Sequence, residues 1–161
     1  MGRLTSAMRA FGLIAGLAFA PACSNTLAQA QLAYDNGEYE EAETLYKQTM
    51  EEGDEVDTEI AREELFDLHM EQAKEAKGKA KRQEEHYRKA LTLQPGDGEA
   101  REGLAHALVA LYRHDEALQI VQDGVDSNTC KGCQRMLAVV LIERADAEGG
   151  GGAGGGGGGG G

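Results

Sequence analysis

Gly37-Glu38-Tyr39-Glu40-Glu41-Ala42 with Tyr46, and Gly78 with Tyr87-Arg88-Lys89-Ala90-Leu91, are two copies of one pattern set 41 residues apart. That shift lays Gly78, Tyr87, Ala90 and Leu91 over Gly37, Tyr46, Thr49 and Met50. In the other direction a shift of 34 lays Met70, Ala73, Ala76, Tyr87, Ala90 and Leu91 over Leu104, Ala107, Ala110, Val121, Gly124 and Val125. Periods of this size mark stacked supersecondary units. The seven extra residues fall around Glu51 to Glu59, where an insertion sits in a loop or lengthens a helix. Outward from these copies, helical periodicity runs from Leu27 to Ala147 and no segment alternates like a strand. Breakers divide it at Asn36-Gly37, Gly53-Asp54, Lys77-Gly78, Pro95-Gly96-Asp97-Gly98 and Asp126-Ser127-Asn128. The spacing predicts an all-α chain with helices over 26–36, 38–52, 58–77, 79–93, 98–111, 114–126 and 130–147.

A helical hairpin of this length and pattern resembles the tetratricopeptide repeat. The residues that carry the resemblance are Gly37 to Ala42 with Tyr46, then Tyr87 to Leu91 ending in Pro95. A third unit has Leu104-Ala105, Leu108 and His114-Asp115-Glu116-Ala117. The resemblance implies a right-handed superhelical stack of about three hairpins (26–52, 58–93 and 98–126) within residues 23–128. A capping helix over 129–148 would cover the third hairpin with Met136, Leu137, Val139, Val140 and Ile142. Glu71 and Gln83 depart from the family, standing where it has small residues, and only one unit ends in Pro. In this family the first helices line a concave groove that holds a partner's segment. Carried over by position, the groove would be lined by Leu27, Gln31, Tyr34, Leu68, Gln72, Glu75, Glu102, His106 and Val109. Leu27 and Leu68 are the two most suited to pack in the core instead. Some members clamp a terminal carboxylate with Lys and Asn, which these positions lack; an extended segment or a helix suits a mixed groove better.

The two ends of the chain differ in kind. Arg3 and Arg9, an uncharged stretch from Ala10 to Ala20, and Ala20-Pro21-Ala22 before Cys23 have the layout of a secretory signal over residues 1–22. Cys23 after small residues resembles the lipobox of bacterial lipoproteins, in which that thiol is the lipid attachment site. A cut after Ala30 instead would release a soluble protein. The apolar run is shorter than the ~20 residues a spanning helix needs. Residues 149–161 are glycine apart from Ala153 and are expected to form a disordered tail. Without residues 1–22 the chain carries 14 basic and 28 acidic side chains, net −14. Such a charge argues against nucleic acid as a partner.

Little in the sequence suggests catalysis, and no enzyme activity is expected. Cys130-Lys131-Gly132-Cys133 is the one chemically suggestive motif; in an oxidising compartment it reads as a disulfide that pins the capping helix, or as a redox pair. Haem attachment would need His where Gln134 stands, and no zinc set accompanies the thiols. His69, His86, His106 and His114 lack ligand spacing, so no metal is expected, and no cofactor beyond a lipid on Cys23. Charge is unevenly arranged: 13 acids lie between Asp35 and Glu64, and seven bases between Lys74 and Lys89. Pairs such as Glu84–Arg88 and Glu85–Lys89 suit a solvated helix face; a basic patch for an anionic partner is the other reading. These features together lead us to expect a lipid-anchored adaptor of the cell envelope that binds another envelope protein or peptide segment. Ser24 after Cys23 resembles lipoproteins sorted to the outer membrane, facing the periplasm. The alternative is a periplasmic thiol-disulfide protein using Cys130 and Cys133.

Overall fold

The computed structural model describes residues 26–149. The expected signal, Cys23 and the glycines from 150 on lie outside the described residues. The described chain contains seven helices and no strand. They are α1 (Thr26–Asp35), α2 (Tyr39–Glu52), α3 (Glu55–Glu75), α4 (Ala80–Leu93), α5 (Gly98–Ala110), α6 (His114–Asp126) and α7 (Cys133–Gly149). Each packs on the next in sequence, and α5 also touches α7. The fold is an all-α stack of three hairpins, α1–α2, α3–α4 and α5–α6, with α7 against the last. No helix among the described residues is long and apolar enough to cross a membrane.

Each hairpin turns at one repeated position. Gly37 and Gly78 have φ of 76° and 81°, and a Cβ on either would meet nothing, so their role is conformational. Tyr112 occupies the same place in the third hairpin, 34 residues after Gly78, with φ of 60°. The amides of Glu38 and Arg113 reach back to the Ala33 and Leu108 carbonyls, 2.8 and 2.9 Å, closing both turns alike.

The largest shifts in boundary, three residues each, fall at the starts of two expected helices. The helix expected from residue 58 begins at Glu55, because the Asp54 carboxylate accepts hydrogen bonds from the Val56 and Asp57 amides, both 2.9 Å. The inserted residues therefore lengthen a helix: α3 has 21 residues against 14 in α2 and α4. The helix expected from residue 130 begins at Cys133, since the Thr129 and Cys130 amides close onto the Gly124 carbonyl.

Two apolar clusters form the core. The first joins Ala30, Ala33, Ala42, Tyr46, Ala61, Leu65 and Leu68; the second runs from Phe66, Met70 and Tyr87 through Leu104, Leu108 and Val121 to Met136 and Val140. Helix α3 faces both, through Leu65 and Leu68 on one side and Phe66, Met70 and Ala73 on the other. Small residues at the crossings let the helices approach. Gly103 is the closest case: a Cβ there would stand 2.3 Å from Cζ of Tyr87. The tyrosine ring of one hairpin thus lies flat on the backbone of the next.

Candidate functional site

The first helices of the hairpins, α1, α3 and α5, share one open face. On α3 that face is set by exclusion, because Leu65 and Leu68 turn to one core and Phe66, Met70 and Ala73 to the other. The remaining arc carries Glu64, Asp67, Glu71 and Lys74 at helical spacing. Polar contacts tie the arc to its neighbours. Gln31 of α1 donates to Glu64 Oε1 at 2.8 Å, and the Tyr34 hydroxyl donates to Glu71 Oε2. Lys74 crosses to Glu99 of α5 at 2.8 Å. Gln31, Tyr34, Asp35, Glu64 and Asp67 border a cleft of about 330 Å³ over the buried Tyr46.

The expected lining residues are distributed differently from the sequence reading. Gln31 and Tyr34 lie on this face. On α5, His106 is exposed, Glu102 is half-buried against the Gly132 backbone, and Val109 packs on the second core. Leu27 packs on the first core. Leu68 does not line a groove, for it is fully buried in that core. Gln72 and Glu75 border a second cleft, of about 490 Å³, between α2, α3 and α4. The α3 positions were thus misplaced by one residue, a rotation of about 100° on a helix. Asp67, Glu71 and Lys74 replace Leu68, Gln72 and Glu75.

Negative charge dominates the corrected face. Asp35, Glu64, Asp67, Glu71, Glu99 and Glu102 stand against Lys74, which is already paired. The tyrosines report the field. Tyr34 is pushed up to about 12, first by its hydrogen bond to Glu71 and then by burial. Tyr39, at the same end of α3, is raised by the charges of Glu71 and Glu75. Part of the basic run is engaged within the chain, since Arg88 meets Glu84 and Glu116 and Lys89 meets Glu43 and Glu85; Lys79 and Arg82 border the second cleft beside Lys89.

The second cleft opens over a polar junction. His69 is 2% exposed, its Nε2 3.9 Å from Glu43 Oε1, and its ring lies 5.9 Å from that of His86. Glu43 also accepts hydrogen bonds from Lys47 and Lys89, at 2.7 and 3.3 Å. Burial alone would raise the Glu43 carboxyl, but these cations hold it below the usual range. Burial lowers His69 to about 4, overriding the attraction of Glu43, and lowers His86 as well. Nδ1 of both histidines and Oε1 of Gln72 have no hydrogen-bond partner among the described residues. Residues 26, 43 and 46 positions apart meet here, and no local motif signals it.

Cys130 and Cys133 are joined by a disulfide, and they are 5% and 0% exposed. Thiol exchange needs an attacking thiolate to reach a sulfur in line, and this burial obstructs it. Among the described residues no group of three or more His, Cys, Asp or Glu is arranged to hold a metal.

Comparison with known proteins adds one finding. A family model described as tetratricopeptide repeat matches residues 22–135, well over half of the chain. No curated protein matches it.

Proposed function

Because the chain belongs to the tetratricopeptide-repeat family, whose repeats serve as scaffolds for protein–protein interaction, we propose that it is a non-catalytic, lipid-anchored adaptor of the bacterial cell envelope. Its partner offers a basic segment to the acidic face of α1, α3 and α5. The observation that carries this reading is the charge of that face. A Lys- or Arg-bearing segment replaces lost hydration with charge-assisted hydrogen bonds to Asp67 and Glu71, whereas an acidic segment is repelled. Tyr34 and His106 add flat surface on which aliphatic stems can pack.

The anchor rests on the lipobox-like Ala20-Pro21-Ala22-Cys23, which would carry the lipid on Cys23 with the repeats at the periplasmic side, and the outer membrane as destination rests on Ser24. One observation opposes the thiol-disulfide alternative: the disulfide is buried, with Cys130 and Cys133 only 5% and 0% exposed. Capture from native envelopes tests the proposal in two arms. The wild-type chain should recover one envelope protein; Asp67→Lys with Glu71→Lys should lose it while remaining folded. Cys23→Ser should move the chain from the membrane to the soluble fraction. Capture unaffected by the paired reversal would refute the acidic face, and membrane retention of Cys23→Ser would refute the anchor.

A further inference from the structure

Helix α7 carries two apolar stripes, and the fold covers one. Cys133, Met136 and Val140 face the third hairpin and are buried. On the opposite arc Ala138, Leu141, Ile142 and Ala145 follow one another at helical spacing, with Val139 at the edge. Leu141, Ile142 and Val139 are 47%, 61% and 40% exposed. The twelve residues after α7 are glycine and one alanine, so a single methyl group is all the apolar side chain they offer to this stripe.

The charges flanking the stripe indicate what does. Arg135 lies at its N-terminal end and Asp146 at its C-terminal end, on the same side of the helix. Neither is in an ion pair among the described residues, whereas Arg144, on the covered side, pairs with Asp115 and Glu148. A stripe with a base at one end and an acid at the other complements itself when reversed. We propose that α7 is a self-association surface on which two copies of this chain pair through antiparallel α7 helices related by a twofold axis. Leu141 and Ile142 of each copy then meet near the axis. Arg135 lies beside Asp146 of the second copy, and the contact recurs at the other end by symmetry. Parallel pairing would instead set Arg135 beside Arg135 and Asp146 beside Asp146, like against like. One helix against one helix buries less than the ~1,200 Å² of a standard stable interface, so the pairing is reversible. Pairing would leave the acidic face of α1 and α3 open.

Sedimentation of the full chain over a dilution series tests this. The wild type should shift from the mass of one chain to that of two as concentration rises. Ile142→Asp, at an exposed site, should remain at one chain throughout with unchanged helical circular dichroism. Arg135→Glu or Asp146→Arg alone should weaken association about tenfold or more, and the two together should restore it. A wild-type chain that stays single at every concentration overturns the proposal, and so would a stripe covered instead by residues 1–25. So does a dimer indifferent to Ile142→Asp, or a double charge reversal that fails to restore association.

Discussion

The two junctions between hairpins share an apolar base, Leu65 and Leu68 against Ala33 and Tyr46 in one and Met70 and Tyr87 against Leu104 in the other, and differ in what is buried beside it. Between the second and third, Tyr87 lies on Gly103 beside Met70 and Leu104, an apolar contact that excludes water. Between the first and second, a buried histidine, a carboxylate shared by two lysines and a second histidine occupy the same kind of space. An apolar contact gains from area and from fit and is itself indifferent to pH; the ion pairs that cross the second junction, Lys74–Glu99, Arg88–Glu116 and Arg113–Glu84, lie at its partly exposed rim. A buried polar cluster contributes only while each charge keeps its partner, so its share of the junction is conditional on protonation. Repeats with one backbone pattern thus differ in what can loosen them, and the polar one lies behind the face proposed to bind.

The largest expected effect belongs to the apolar junction. Leu104→Ala, at a site 1% exposed, should cost about 2–5 kcal/mol in denaturant unfolding. A loss below the range of a surface substitution would mean that the second core is not continuous there. Gly103→Ala should cost about 1–3 kcal/mol through the clash with Tyr87. In a Tyr87→Leu background that cost should shrink, and a double-mutant cycle reads the difference; additive losses would contradict the contact.

The polar junction should respond to acid. His69 stays neutral in the fold down to about pH 4 but takes a proton near 6.5 when unfolded. Between those values the unfolded chain binds the additional proton, so stability rises with pH, is fully present above about 6.5 and is lost as pH falls toward 4. The interval corresponds to about 3 kcal/mol, which solvent screening reduces to on the order of 2 kcal/mol. Glu43, Lys89 and His86 all face this ring; the carboxyl of Glu43, held low by its cations, loses its share in the same direction at still lower pH. Hydrogen exchange at pH 5 should open the amides of α2 before those of α5. His69→Leu should flatten the decline between pH 6.5 and 4, and a slope that persists would assign it elsewhere.

The smallest effect concerns the turns that join each hairpin. Tyr112 adopts a left-handed backbone where the other hairpins use glycine, and the residue is 85% exposed. Tyr112→Gly should therefore stabilise the chain by about 1 kcal/mol, seen as a small rise in Tm. A fall would show that the ring contributes more than the strain costs.

Much of this fold was legible because the signals were local or periodic. Gly37 and Gly78 marked turns, and the 34-residue shift aligned Ala73 with Ala107, both buried in the structure. Tyr112 escaped because tyrosine is no turn residue, although its distance from Gly78 equals the repeat. The open face of α3 was misplaced for a physical reason: a helix apolar on two sides, Leu65 and Leu68 against Phe66 and Met70, does not reveal by period which arc is left open. The excess of acids between Asp35 and Glu64 was visible, but its gathering with Glu71, Glu99 and Glu102 onto one face depends on how three helices align. The meeting of His69 with Glu43 and Lys89 is set wholly by packing between hairpins.

The proposed function turns on recognition of a basic segment by the face of α1, α3 and α5. Titrating the chain with a Lys- and Arg-rich peptide, and with an acidic peptide of equal length, at two salt concentrations tests it most directly. The basic peptide alone should bind saturably, and that binding should be weakened by salt and abolished by Asp67→Lys with Glu71→Lys. Equal binding of both peptides, or binding of the basic one that survives the paired reversal, would contradict it.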